Sequence, residues 1–125
     1  MAHRIEITAG QITVEAGLNE TQTAQAVWDG LPIEGMANTW GDEIYFSTPI
    51  ALGLEAGQEV VERGDLGFWP PGKAICIFFG PTPASRGDEI RPASPVTVFG
   101  RVLGDATVLK AVEDGTPVTV RRSQD

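Results

Sequence analysis

The sequence predicts a mainly β protein, a barrel or closed sheet capped by two short helices. Short apolar segments with an alternating pattern recur along the chain. Fifteen glycines and nine prolines separate them with turn chemistry. Only two stretches carry helix signals instead. With 125 residues, the chain fits one domain, residues 1–125. Such a domain buries about two-thirds of the surface its unfolded chain exposes, enough for a single core.

The elements follow in order. Arg4 to Thr8 alternates, Ala9-Gly10 can turn the chain, and Ile12, Val14 and Ala16 resume the pattern, so the chain opens with a β-hairpin. Asn19, with Gln22 three residues on, signals a helix start. Ala24, Val27, Trp28 and Leu31 form its apolar stripe, and Gly30 with Pro32 ends it. Strands are expected at residues 33–40 and 43–47, with weaker ones at 60–62 and 66–69. Residues 74–79 are apolar on both faces, which suits a central strand covered on both sides. Trp69-Pro70-Pro71-Gly72 precedes it, with Pro71-Gly72 suited to the centre of a type II turn.

The stretch VTVFGRVLGDATVLKAV, residues 96–112, opens as a strand and carries a glycine within it. A glycine there marks a bulge, a bend or the close approach of another backbone. Gly100 is expected to let the strand bend as it leaves the barrel. Asp105 then caps a short helix whose Val108, Leu109 and Val112 plug one end. Residues 117–122 form the closing strand, with Arg121 and Arg122 solvating a frayed terminus.

Charge and composition exclude several function classes. Seventeen acidic residues against nine basic leave a net charge of −8. A phosphate backbone is repelled by that field, and no local basic patch offsets it, so no nucleic-acid partner is expected. MAHRIEITAG lacks the apolar stretch of a signal peptide, and no apolar run approaches about 18 residues. The expectation is a cytoplasmic protein with no membrane partner. One cysteine and one histidine leave too few ligands for a zinc site and too little material for Ser-His or Cys-His catalysis. No phosphate-binding or dinucleotide fingerprint is present. No cofactor and no metal are expected. Cys76, in AICIFFG, has neither a cationic neighbour nor exposure along its flank, so it reads as a buried structural thiol. Two Arg-Gly-Asp tripeptides, at 63–65 and 86–88, are ordinary turn residues.

The Val98-Phe99-Gly100-Arg101-Val102 stretch and the short helix after it resemble the late strand and helix of cyclophilins. More specifically, WGDEIYF (40–46), FWPPGKAICIFFGPTP (68–83), EIRPASPV (89–96) and FGRV resemble a family of small, uncharacterised bacterial and archaeal cyclophilin-like proteins. The resemblance implies a closed, roughly eight-stranded β-barrel. For cyclophilins it also implies an arginine that hydrogen-bonds the imide nitrogen of an X–Pro bond, so lowering a barrier of about 18–20 kcal/mol. Residues 33–52 contain no arginine, Val96 stands where cyclophilins commonly carry histidine, and the only histidine is His3. No catalytic residue carries over. The fold is shared without the chemistry.

Candidate binding residues come from the alternation around 40–46. With Ile44 and Phe46 facing the barrel interior, Glu43 and Tyr45 point outward, where cyclophilins bind their ligands. A carboxylate beside a phenol can grip an amine or a peptide N–H, or shuttle a proton. Trp69, on its proline-stiffened loop, offers a low-entropy apolar wall. Phe78 and Phe79 point opposite ways, one into the core and one towards the groove. Thr82 and Ser85 can place hydroxyls at its rim, on a mobile loop. The expected ligand-binding set is Trp40, Glu43, Tyr45, Trp69 and Phe78. The expected function is binding of a small molecule or peptide in the barrel's outer groove, without proline isomerase activity. One alternative is an enzyme, either an isomerase with a displaced arginine such as Arg91 or Arg101, or a reaction using Glu43 as acid or base. Another is an assembly subunit, such as a homo-oligomer, whose aromatic surface packs against a second chain.

Overall fold

A computed structural model describes residues 3–123. The opening hairpin forms from β1 (Arg4–Ala9) and β2 (Ile12–Leu18), with Ile7 opposite Val14. Helix α1 (Gln22–Asp29) follows, then β3 (Ile33–Met36), β4 (Asn38–Thr39), β5 (Glu43–Ser47), β6 (Asp65–Trp69), β7 (Ala74–Phe78), β8 (Thr97–Leu103) and β9 (Pro117–Arg122). All pairings are antiparallel, in the order β3-β9-β1-β2-β8-β6-β7-β5-β4. The two ends of that order, β3 and β4, are halves of one run of chain bent at Ala37, whose N–H donates to the Thr116 carbonyl at 2.8 Å. One half pairs with β9 and the other with β5, so the sheet is a nearly closed barrel.

Alternation fills the interior. Ile5, Ile7, Ile44, Phe46, Leu66, Phe68, Ile75, Ile77, Phe99 and Val120 are fully buried in one core. Helix α1 adds Ala24 and Val27, and a 3₁₀ helix at Ala106–Ala111 adds Ala106 and Leu109. Asp105 caps that second helix, accepting from the Thr107 N–H at 2.9 Å. Leu109 and Val112 plug the barrel end as expected, whereas Val108 is exposed because a 3₁₀ turn rotates it to solvent.

Several local expectations shift. The cap of α1 is Thr21, whose hydroxyl accepts from the Ala24 N–H at 3.0 Å, and Asn19 instead buttresses Thr21. The Glu55 carboxylate reaches back from a distant loop to accept from the Gln22 and Thr23 N–H groups. Strand β8 continues past Gly100 to Leu103. Gly100 is needed because a Cβ there would lie 2.6 Å from the Gly17 carbonyl oxygen, and a bulge opposite Leu66 and Gly67 absorbs the irregularity. Arg121 and Arg122 belong to β9: Arg121 pairs with Glu6 at 2.7 Å, and Arg122 lies over the Trp28 ring at 4.3 Å. Residues 60–62 make only an isolated bridge, Val61 to Ile90.

Candidate functional site

The outer faces of β5, β6 and β7 carry a second, smaller core. Antiparallel register sets Tyr45 opposite Cys76 and Glu43 opposite Phe78, and puts Gly67 across from Cys76 on the other side. Phe78, Val61, Ile90 and Val96 are buried there, with Tyr45, Trp69 and Val98 packed against them. Gly67 makes this possible: a Cβ would meet Val96 at 2.8 Å and the Phe78 ring at 3.2 Å. The segment from Gly80 to Val96 forms the cover. It is anchored to residues 58–61 by reciprocal backbone bonds between Gln58 and Val96, at 2.8 and 3.1 Å, and by the Val61 to Ile90 bond at 2.9 Å.

Between sheet and cover lies a cavity of about 200 Å³. Trp40, with Glu43 and Tyr45 of β5, Trp69 of β6 and Cys76 of β7, lines it from the barrel, and Pro92, Ala93 and Val96 line it from the cover. Four of the five residues expected from the sequence therefore meet at one place. Phe78 does not reach the cavity: its ring fills the volume left by Gly67 and is sealed beneath Val96. Phe79 turns into the barrel core.

Trp69 is held firmly. Its indole N–H donates to Ser94 Oγ at 2.6 Å, and the ring lies against Gly72. Pro70–Gly72 forms a 3₁₀ turn in place of a type II turn, and the left-handed residue is Lys73, at φ 48°. The hydroxyls of Thr82 and Ser85 serve the cover itself. Ser85 Oγ accepts from the Thr82 and Arg91 N–H groups at 2.9 and 3.1 Å, and Thr82 Oγ1 donates to the Arg91 carbonyl. They brace the loop internally and offer no rim to a ligand.

Glu43 is the unusual member. It is only 5 % exposed, and none of the ion pairs among the described residues includes it. Burial raises its carboxyl from the ordinary 4.5 to about 7, opposed by a weaker hydrogen bond from the Cys76 thiol. Burial and the neighbouring carboxylate push the Cys76 thiol well above its ordinary value, so it stays protonated, as a structural thiol should. Among the described residues, no arginine, lysine or histidine lines the cavity. Arg91 is held by Glu89 at 2.6 Å and lies near Glu59 at 3.7 Å. Arg101 is held by Glu62 at 2.6 Å and Asp65 at 3.2 Å and is not among the residues that line the cavity.

The late Phe-Gly strand, the 3₁₀ helix behind it and the barrel closure match what the cyclophilin resemblance implies. A model of the cyclophilin-like family matches residues 3–121. The chain belongs to the cyclophilin-like family. A hypothetical protein from Archaeoglobus fulgidus, solved in solution, is 45 % identical, with a TM-score of 0.83 over 98 % of this chain and 95 % of that one. No curated protein matches. Within this cyclophilin-like barrel, sequence reasoning missed Cys76, Pro92, Ala93 and Val96 as lining. The strand alternation of AICIF could have put Cys76 on the outer face beside Phe78. The cover residues 92–96 have no periodicity to place them.

Proposed function

We propose that this cyclophilin-like protein is a binding module whose outer-face cavity takes one small, largely apolar group, either a whole small molecule or a single side chain of a peptide. The observation that carries this reading is the meeting of Trp40, Tyr45 and Trp69 around a concave space with one buried carboxylate. Ligand sites have this make-up, apolar and aromatic walls with few polar groups. A volume of about 200 Å³ is smaller than a drug-sized site and comparable to engineered cavities that hold benzene. Concavity supports a ligand over an assembly interface, which would present a flat apolar patch. The lack of a cationic side chain in the lining supports a module without proline isomerase activity.

The reading is tested by titrating p-cresol and indole while following the indole N–H resonances of Trp40 and Trp69. Saturable shifts at both residues are expected, and shifts at neither would exclude a neutral aromatic ligand. A protease-coupled assay on an X–Pro peptide should show no turnover above background. Turnover abolished by Arg91→Ala would establish an isomerase with a displaced arginine instead. A second reading, general acid–base chemistry at Glu43, has its own support in a carboxyl poised near neutrality. It requires a substrate that is turned over by the native protein and not by Glu43→Gln.

A further inference from the structure

We propose that the cavity is a receptor for an alkylated ammonium group, its positive charge against the Glu43 carboxylate and its alkyl substituents packed on Trp40, Tyr45 and Trp69. This inference rests on the binding role proposed above and names the class of ligand. A carboxyl group in an apolar cavity is a costly choice of side chain. Ionised, with no ion-pair partner among the described residues and only the weak Cys76 thiol donor beside it, it loses several kcal/mol of hydration for little in return. A neutral ligand could be held by a hydroxyl or an amide at much lower cost. An anion would be repelled by Glu43 and by the net charge of −8. A cation supplies the missing partner.

The other lining residues decide which cation. A primary ammonium carries three N–H donors and needs acceptors for each. Beyond the Glu43 carboxylate and the Tyr45 hydroxyl the lining side chains offer it little: the Trp69 indole N–H is a donor already used by Ser94, and the Cys76 thiol is a weak acceptor. An alkylated ammonium has few donors or none. It spreads its charge over methyl or methylene groups that pack well on aromatic faces, and the ring quadrupoles of tryptophan and tyrosine attract that charge. The three aromatic residues and the single carboxylate thus account for one group with both a cationic and an apolar character. The cavity, at about 200 Å³, accommodates such a head group and leaves the remainder of the ligand to lie outside.

Choline and its uncharged carbon isostere, 3,3-dimethylbutan-1-ol, provide the test, since they differ in charge far more than in shape. Binding is followed by the indole resonances of Trp40 and Trp69 in the full-length protein at pH 8. Choline should bind at least tenfold tighter than the alcohol, and Glu43→Gln should erase that preference. A pH series on the native protein guards against misfolding of the variant. Choline affinity should fall about tenfold from pH 8 to pH 6 as Glu43 takes up a proton, with the alcohol unaffected. The other titratable groups lining the cavity are Tyr45 on the same strand and Cys76 on β7; Asp42, in the adjoining turn, faces Lys110 at 3.9 Å, and Arg91, within the cover, is held by Glu89. If the alcohol or p-cresol binds as well as choline, the cationic assignment is overturned and the binding role stands. If choline, the alcohol, p-cresol and indole all leave both tryptophans unmoved, both fall together.

Discussion

Replacing Glu43 by glutamine keeps the shape of the side chain and removes its charge, and the effect on stability should depend steeply on pH. In the unfolded chain the carboxyl ionises near 4.5, and in the folded protein near 7. The unfolded state therefore gives up its proton first. Glu43 costs nothing below pH 4.5, where both states are protonated. Its cost grows as the pH rises towards 7 and is constant above that. The gap between 4.5 and about 7 corresponds to about 3 kcal/mol at 1.36 kcal/mol for each pH unit. For a domain of this length, an unfolding entropy of about 0.26 kcal/mol/K turns 3 kcal/mol into roughly 10 °C of melting temperature. Urea denaturation of both proteins from pH 4 to pH 8.5 measures the difference, which cancels every other titrating group. Glu43→Gln should gain about 3 kcal/mol on the native protein across that range. Its absolute offset depends on how the buried amide finds partners, so the slope is the quantity of interest. A difference that is flat with pH, or one in which the glutamine variant loses ground above pH 7, would show that Glu43 is solvated or paired. The cationic site would then lose its physical basis.

Three further outcomes check the frame around the site. Gly100→Ala should lower stability by about 1–3 kcal/mol, because its Cβ would press on the Gly17 carbonyl; Gly53→Ala, with open space around it, is the control and should change little in the same thermal melt. Thr21→Ala removes the hydroxyl that caps α1 at Ala24 and should cost about 1 kcal/mol in urea denaturation. Ser94→Ala frees the Trp69 indole from the cover, so its N–H should exchange faster with solvent and p-cresol should bind more weakly, while an unchanged indole resonance would argue against the bond.

The barrel was legible because strand alternation is a local signal. Ile5 and Ile7, Ile44 and Phe46, and Val118 and Val120 lie two residues apart, and each pair is buried on the inner face. The same alternation set Glu43 and Tyr45 on the outer face and so brought most of the cavity into view. Its depth was not legible. An outward-facing glutamate is ordinarily solvated, and Glu43 is buried only because residues 80–96 cross over it. Nothing periodic in GPTPASRGDEIRPASPV announces that crossing; it depends on long-range bridges such as Gln58 to Val96 and on the vacancy at Gly67. Phe78 was misplaced for the same reason, since a groove wall becomes a core residue once a second layer covers it.

That second layer also determines what kind of binding the cavity can do. Its walls come from three paired strands and from a cover tied down by bonds made entirely within the protein: Gln58 with Val96, Val61 with Ile90, Trp69 with Ser94, and Ser85 with Thr82 and Arg91. In the binding role proposed above, these bonds would hold the cavity open for a ligand. A ligand of a few heavy atoms makes too few contacts to order a loop as it binds, because each immobilised side chain would cost about 0.5–1.5 kcal/mol. A preformed space avoids that cost, and the one unfavourable element left in it is the buried carboxylate. The proposed cation would relieve that element directly. In the proposed site, the cover that shrinks the groove of this cyclophilin-like barrel would thus give a single side chain, Glu43, control over what the groove accepts.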